Sequence, residues 1–349
     1  MKRRPILLLL PAAVFACNLG SPAGAVPPPA GPETTAPETV AVPTSEPTAG
    51  LDGETQPEAV DVSPPASVRK LIFIHHSSGE NWLADENGGL GLALMENNYF
   101  VSDTNYGWGP TEESLGGPIG DYTDIGYWWN WFLGPSSAGI LRAVYAENER
   151  HADYSRLADD PGGENKIVMF KSCFPNSALA GDPGDPPAAG DNPLQGMDSG
   201  SGYHTVANAK RIYADLLGYF GAHPEKLFVV VTAPPLLDSS PEQAANARAF
   251  NRWLVEEWLS AYPNRNVAVF DFYNVLTSNG GDPETNDLDS ESGNHHRVFR
   301  GSIQYITDRG VNTSAYAADG DSHPTASGNR KATAEFLPLL NYFVRRWRG

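Results

Sequence analysis

An α/β fold built on a parallel sheet is what the patterning predicts. Three observations carry this: short unbroken apolar runs recur five times, helical periodicities separate them, and clusters of small polar residues follow several of the runs. A run that is apolar on both faces suits a strand covered by helices on both sides. Crossovers of one hand then give a single three-layer α/β/α domain. At 349 residues with 40% hydrophobic content, the chain can bury a core of that size.

Two N-terminal stretches precede the globular part of the chain. Lys2, Arg3 and Arg4 precede an apolar run at residues 6–16, too short to span a bilayer but suited to a secretory signal over residues 1–16. The run ends in Val14-Phe15-Ala16-Cys17, which resembles the lipobox of bacterial lipoproteins. That resemblance implies lipidation at Cys17 and an extracytoplasmic chain anchored to a bacterial membrane; ordinary secretory cleavage is the alternative. Residues 17–66 are rich in Pro, Ala, Thr, Ser and Glu and cannot bury enough surface to offset chain entropy, so they read as an extended, disordered tether. The globular domain is expected over residues 67–349.

Charge excludes one class of partner. The chain carries 42 acidic and 24 basic residues; without the seven acids and three bases of residues 1–66, 35 acids face 21 bases. An excess of 14 negative charges argues against nucleic acid. Cys17 and Cys173 are the only cysteines, so no disulfide framework or cysteine-based zinc site is expected.

Taken in order, Leu71, Ile72, Phe73 and Ile74 form the first strand, running into His75-His76-Ser77-Ser78-Gly79. Residues 81–98 suggest a helix weakened by Gly88, Gly89 and Gly91. Residues 99–103 read as the second strand and end in Asn105-Tyr106-Gly107-Trp108-Gly109-Pro110, where glycines let backbone approach a ligand. Residues 116–135 are irregular and aromatic (Tyr122, Tyr127, Trp128, Trp129, Trp131, Phe132): either a satellite hydrophobic cluster or a platform for stacking sugars. A helix over 138–156 leads to a third strand at 166–171, closed by Ser172-Cys173-Phe174-Pro175-Asn176-Ser177.

A Pro/Gly/Asp loop over 181–202 is long enough to rim a site. Val206, Ala209, Tyr213, Leu216 and Phe220 recur at helical spacing before a fourth strand at 227–232. A helix over 244–262 and a fifth strand at 267–272 follow. Residues 274–316 read as mostly irregular and polar. Within them Asp282, Glu284, Asn286, Asp287 and Asp289 suggest a solvated acidic turn rather than a calcium loop, because the spacing and glycine of such a loop are missing. The last helix starts after His323-Pro324 and carries Ala332, Phe336, Leu340, Phe343 and Trp347 on one stripe, with a kink expected at Pro338.

Loops after the carboxyl ends of parallel strands share one crevice, so residues distant in sequence can meet there. Serine needs a base to take its proton, a third group to fix that base, and donors for the oxyanion. Candidates for each role end different strands or precede the last helix: Ser77, Gly107 or Gly109, Asn176, and Asp321 with His323.

Assembled this way, residues 68–347 resemble the SGNH hydrolases, the GDSL esterase superfamily. The family places a serine after strand one, a glycine after strand two, an asparagine after strand three, and an Asp/His pair before the last helix. The resemblance implies a flavodoxin-like five-stranded parallel sheet. It also implies a Ser77–His323–Asp321 triad, and an oxyanion hole from Gly109 or Gly107, Asn176 and the serine's own N–H. An acyl-enzyme mechanism with no metal and no organic cofactor follows. His75-His76 stands where the family reads Gly-Asp, which makes Ser78 an alternative nucleophile. The Asp-x-His spacing is similar to that of bacterial polysaccharide acetyltransferases, with Asp319 as an alternative acid.

The bland readings are a helix cap at Ser77 and Ser78, an ordinary turn at residues 321–324, and a loop-holding role for Asn176. His75 and His76 read as packed or hydrogen-bonded site walls and Cys173 as a small buried filler; His295-His296-Arg297 reads as structural or solvated rather than as a metal or anion site. The expected substrate is an O-acetyl or other acyl ester on carbohydrate, with a lipid esterase or a polysaccharide O-acetyltransferase as alternatives within the enzyme class. A surface glycan-binding protein without catalysis is the alternative outside it.

Overall fold

Five strands, each buried along nearly its whole length, form one parallel sheet covered by helices on both faces. The computed structural model describes residues 59–279, 282–307, 313–317 and 320–349. The signal segment, Cys17, the tether up to residue 58 and Asp319 lie outside the described residues.

In chain order, β1 (Arg69–Ile74) leads to α1 (Ser77–Leu83), α2 (Leu90–Glu96) and β2 (Tyr99–Thr104). A minimal hairpin, β3 (Thr111–Glu112) and β4 (Gly117–Pro118), precedes α3 (Trp128–Phe132) and α4 (Ser137–Ala146). Then come β5 (Ile167–Lys171), α5 (Val206–Ala222), β6 (Leu227–Val231), α6 (Pro241–Glu256), β7 (Val267–Phe270) and α7 (Phe272–Val275). A second hairpin, β8 (His295–Phe299) and β9 (Ser302–Ile306), and the long α8 (Ala326–Arg348) close the chain.

The sheet order is β2-β1-β5-β6-β7, all pairs parallel, which is the order 2-1-3-4-5 of flavodoxin-like sheets. Side chains alternate between two cores, as strand geometry requires. Ile72, Ile74, Phe170 and Phe228 face α3 to α6 with Trp128, Trp131, Phe132 and Phe220. Leu71, Phe73, Val229 and Phe270 face α1, α2 and α8 with Trp82 and Phe336. Ile74 pairs with Thr104 on one side and Phe170 on the other, so β1, β2 and β5 end at one rim.

Several expectations change. The helix over 81–98 is two helices, and the first begins at Ser77 itself. The break lies at Gly88, where a Cβ would collide with the Trp82 carbonyl, and at Gly89, which is left-handed at φ 66°. The helix from 138 stops at Ala146, and that from 244 starts at Pro241 behind a Ser240–Gln243 capping box and stops at Glu256.

The aromatic insert is no satellite cluster, because Trp128, Trp131 and Phe132 are buried in the main core on their side of the sheet, while Tyr127 lines a pocket. Residues 274–316 contain the β8–β9 hairpin, hidden from a polarity-based reading because its buried residues are His295, His296 and Arg297. α8 continues through Pro338. The end of the presumed tether is attached: Val60 N–H donates to the Gly301 carbonyl (2.9 Å), Asn341 Nδ2 to Val62 (2.9 Å), and Arg345 pairs with Asp61 (3.0 Å).

Candidate active site

The rim where β1, β2 and β5 end gathers three loops, and the segment before α8 supplies a fourth. β1 leaves the sheet through His75 and His76 and enters α1 at Ser77, which puts the Ser77 hydroxyl on the first turn of a helix at the edge of the crevice. Opposite it, the 321–325 segment is pinned at several points. Ser322 Oγ accepts the Leu237 N–H (3.1 Å), Pro324 bridges Ala317, and Thr325 caps α8 by accepting the Gly328 N–H (3.5 Å).

These anchors bring His323 to Ser77. The Ser77 hydroxyl donates to His323 Nε2 across 2.8 Å. His323 Nδ1–H donates to Asp321 Oδ1 across 2.7 Å, and the same oxygen accepts the His323 backbone N–H at 3.0 Å. Those bonds to His323 hold the Asp321 carboxyl below its usual range, so it stays ionised opposite the ring. Phe174 packs edge-on against the His323 ring at 5.0 Å between centroids. A serine, a base and an orienting acid therefore stand in the order that nucleophilic catalysis requires.

Ser78 is turned away from the histidine. It is fully buried, accepts a hydrogen bond from Lys171 Nζ (2.6 Å) and lies 3.3 Å from Cys173 Sγ. Cys173 is half-buried and lines the pocket, so it belongs to the site wall rather than to the core. His75 is enclosed, with Nε2 on Asp103 (3.1 Å) and Nδ1 on the His76 carbonyl (3.0 Å). His76 donates to the Gly120 carbonyl (2.5 Å) and stacks on Tyr106 with centroids 4.0 Å apart. Burial drives its pKa down to about 4, which keeps the ring neutral as a wall of the pocket.

The expected oxyanion donors are largely occupied. Gly107 N–H donates to Asp121 Oδ1 (2.6 Å). The Asn176 amide donates to Asp124 Oδ1 (2.6 Å) and to the Cys173 carbonyl (3.2 Å), while its oxygen accepts the Ile125 N–H (2.8 Å). Asn176 thus ties the 124–127 turn to the loop after β5, the loop-holding role. Gly109 is left-handed at φ 89° and its missing side chain makes room for Ile119. Tyr106, stacked on His76, lines the pocket beside Ser77. Burial raises its hydroxyl above its ordinary pKa, although the Ser77 side chain and backbone N–H both act to lower it, so it keeps its proton.

A pocket of about 280 Å³ opens beside Ser77, walled by Tyr106, Asp121, Asp124, Tyr127, Phe174 and Ser199. The acidic loop takes no part in it. Asp287 pairs with Lys331 Nζ (2.5 Å) and accepts from Ser278 Oγ (2.8 Å), and among the described residues no three His, Cys, Asp or Glu side chains are grouped to hold a metal ion. His295 and His296 lie under α8, where His295 donates to Glu335 (2.7 Å) and His296 accepts the Asp271 N–H (3.0 Å).

Among the site residues that sequence reasoning passed over are Tyr106 and Lys171, with Asp121, Thr123, Asp124 and Ser199 of the pocket wall. Tyr106 sat among glycines that attracted the attention, and Lys171 looked like the polar end of a strand. A lysine closing an otherwise apolar strand at a ligand-bearing rim was the available signal. No protein-family model, no curated protein and no solved structure matches this chain.

Proposed function

We propose that the chain is a serine esterase of the SGNH type, an extracytoplasmic lipoprotein that removes small acyl groups, acetyl foremost, from carbohydrate. The observation that carries the reading is the unbroken contact Ser77 to His323 to Asp321 at 2.8 Å and 2.7 Å, reached from opposite ends of the domain. In this reaction the Ser77 oxygen bonds to the ester carbonyl carbon as its proton passes to His323 Nε2. The imidazolium, steadied by Asp321, returns that proton to the departing sugar oxygen. Water then enters by the same route: His323 takes its proton, its oxygen joins the acyl carbon, and the bond to Ser77 breaks as His323 returns the proton to Ser77 Oγ.

Pocket size favours a short acyl group over a lipid chain, since about 280 Å³ falls at the small end of ligand sites. Its polar wall of Asp121, Thr123, Asp124 and Ser199 offers acceptors and hydroxyls to a polyol. The test is a series of 4-nitrophenyl esters of increasing chain length together with acetylated oligosaccharides. Turnover that is highest for acetyl and falls steeply beyond butyryl supports the reading; binding of the glycans without release of acetate would favour a glycan-binding protein instead.

Tyr106 lines the pocket beside Ser77, and in this reading its hydroxyl is the side-chain donor to the oxyanion. Tyr106→Phe is expected to lower kcat by about a hundredfold while changing KM little, the signature of a bond made in the transition state. Equal loss in KM with kcat intact would assign Tyr106 to substrate binding instead.

A further inference from the structure

β5 ends in a lysine that has no access to solvent. Lys171 is 0% exposed, and among the described residues no carboxylate lies within ion-pair distance of it. Its ammonium donates to Ser78 Oγ (2.6 Å) and to the Ser172 carbonyl (3.2 Å). Burying an unpaired cation is costly, and the cost falls here directly behind the residue that follows Ser77.

The donors around it can run in one direction only. An ammonium has protons but no lone pair, so Ser78 Oγ accepts from it and its own proton is free for Cys173 Sγ at 3.3 Å. The Cys173 S–H in turn is free for Ser77 Oγ at 3.8 Å, and the Ser77 proton goes to His323 Nε2 at 2.8 Å. We propose that Lys171 is a positioning residue for the reaction at Ser77: through Ser78 and Cys173 it orders the hydroxyl protons toward His323 and keeps a positive pole behind the oxygen that must become nucleophilic. This rests on the serine-esterase reading above.

The charge on Lys171 is also within reach of ordinary buffers. Burial brings its pKa down from 10.5 to about 8, opposed only by charge on the Cys173 sulfur. The other titratable group coupled to it is His76, which stays neutral down to about pH 4. Lys171 is therefore a cation below pH 8 and loses its charge as pH rises through that value. Acylation of Ser77 should fall over the same interval.

The experiment follows reaction of the full chain with a fluorophosphonate probe, and hydrolysis of an acetyl ester, from pH 6 to pH 10. Wild type should label at Ser77 with a rate that declines above pH 8. Lys171→Met should label about tenfold more slowly below pH 8, with no alkaline decline and an unchanged KM. Cys173→Ser should retain the decline, which excludes the thiol as its source. Lys171→Met that labels at the wild-type rate, or keeps the decline, overturns the proposal while leaving the esterase intact. Should that variant not fold, Ser78→Ala breaks the link with the cation in place: labelling slowed about tenfold supports the relay, and wild-type labelling overturns it. A wild type that never labels removes the esterase reading and this inference with it.

Discussion

Ser77→Ala is expected to lower kcat for an acetyl ester by about four orders of magnitude or more, whereas Ser78→Ala should lower it by about tenfold. Adjacent serines that are interchangeable on paper differ here in what they touch. Ser77 alone reaches the imidazole, at 2.8 Å, and alone lines the pocket. Ser78 is buried against Lys171 and Cys173 and has no base to accept its proton, because an ammonium already donates to it. Losing Ser77 removes the atom that bonds to the acyl carbon, and the effect should be indifferent to pH. Losing Ser78 leaves that atom in place. Mass spectrometry of the trapped phosphonyl adduct decides the matter independently of rates: the adduct belongs on Ser77, and an adduct on Ser78 would reverse the assignment.

What was legible in the sequence follows from which forces act locally. The five strands announce themselves because burial on both faces permits nothing but apolar residues along Leu71 to Ile74 or Leu227 to Val231. Crossover chirality leaves few topologies open, and the flavodoxin-like order among them was expected only from the family resemblance. The meeting of Ser77 with His323 was legible because a parallel sheet gathers the ends of its strands, so loop position stood in for distance.

The oxyanion donors were harder to read. Whether Gly107 N–H or the Asn176 amide is free depends on Asp121 and Asp124, carboxylates in a loop whose path no periodicity reveals. The β8–β9 hairpin was missed for the opposite reason to the strands. His295 and His296 are polar, and they are buried because tertiary partners satisfy them: Glu335 on α8 holds the His295 ring and the His296 backbone N–H, and the His296 ring accepts the Asp271 N–H. Pattern reading assigns polarity to the surface; here tertiary partners reversed the assignment.

That same acid sets the other large effect. Glu335→Ala should cost about 3–5 kcal/mol of unfolding free energy, the range for removing one partner of a buried pair. Glu335 is 1% exposed, and its two oxygens hold His295 Nδ1–H at 2.7 Å and the His296 backbone N–H at 2.9 Å. Truncation strands both donors away from water, at the point where the hairpin packs on α8. Lys331, one turn earlier on that helix and fully buried, loses a nearby negative charge at the same time. Its ammonium holds Asp287 and the Val275 and Asn294 carbonyls (both 3.0 Å), so the damage extends to the acidic loop whose Pro283 carbonyl accepts from the Thr325 cap beside His323. Glu335→Gln should cost less, since its amide oxygen still serves one donor. Urea denaturation followed by tryptophan fluorescence measures the difference, with a lowered midpoint at constant slope expected. An Ala variant within about 1 kcal/mol of wild type would mean that water replaces the carboxylate, and that the hairpin is held by its apolar contacts with α8 rather than by this charge.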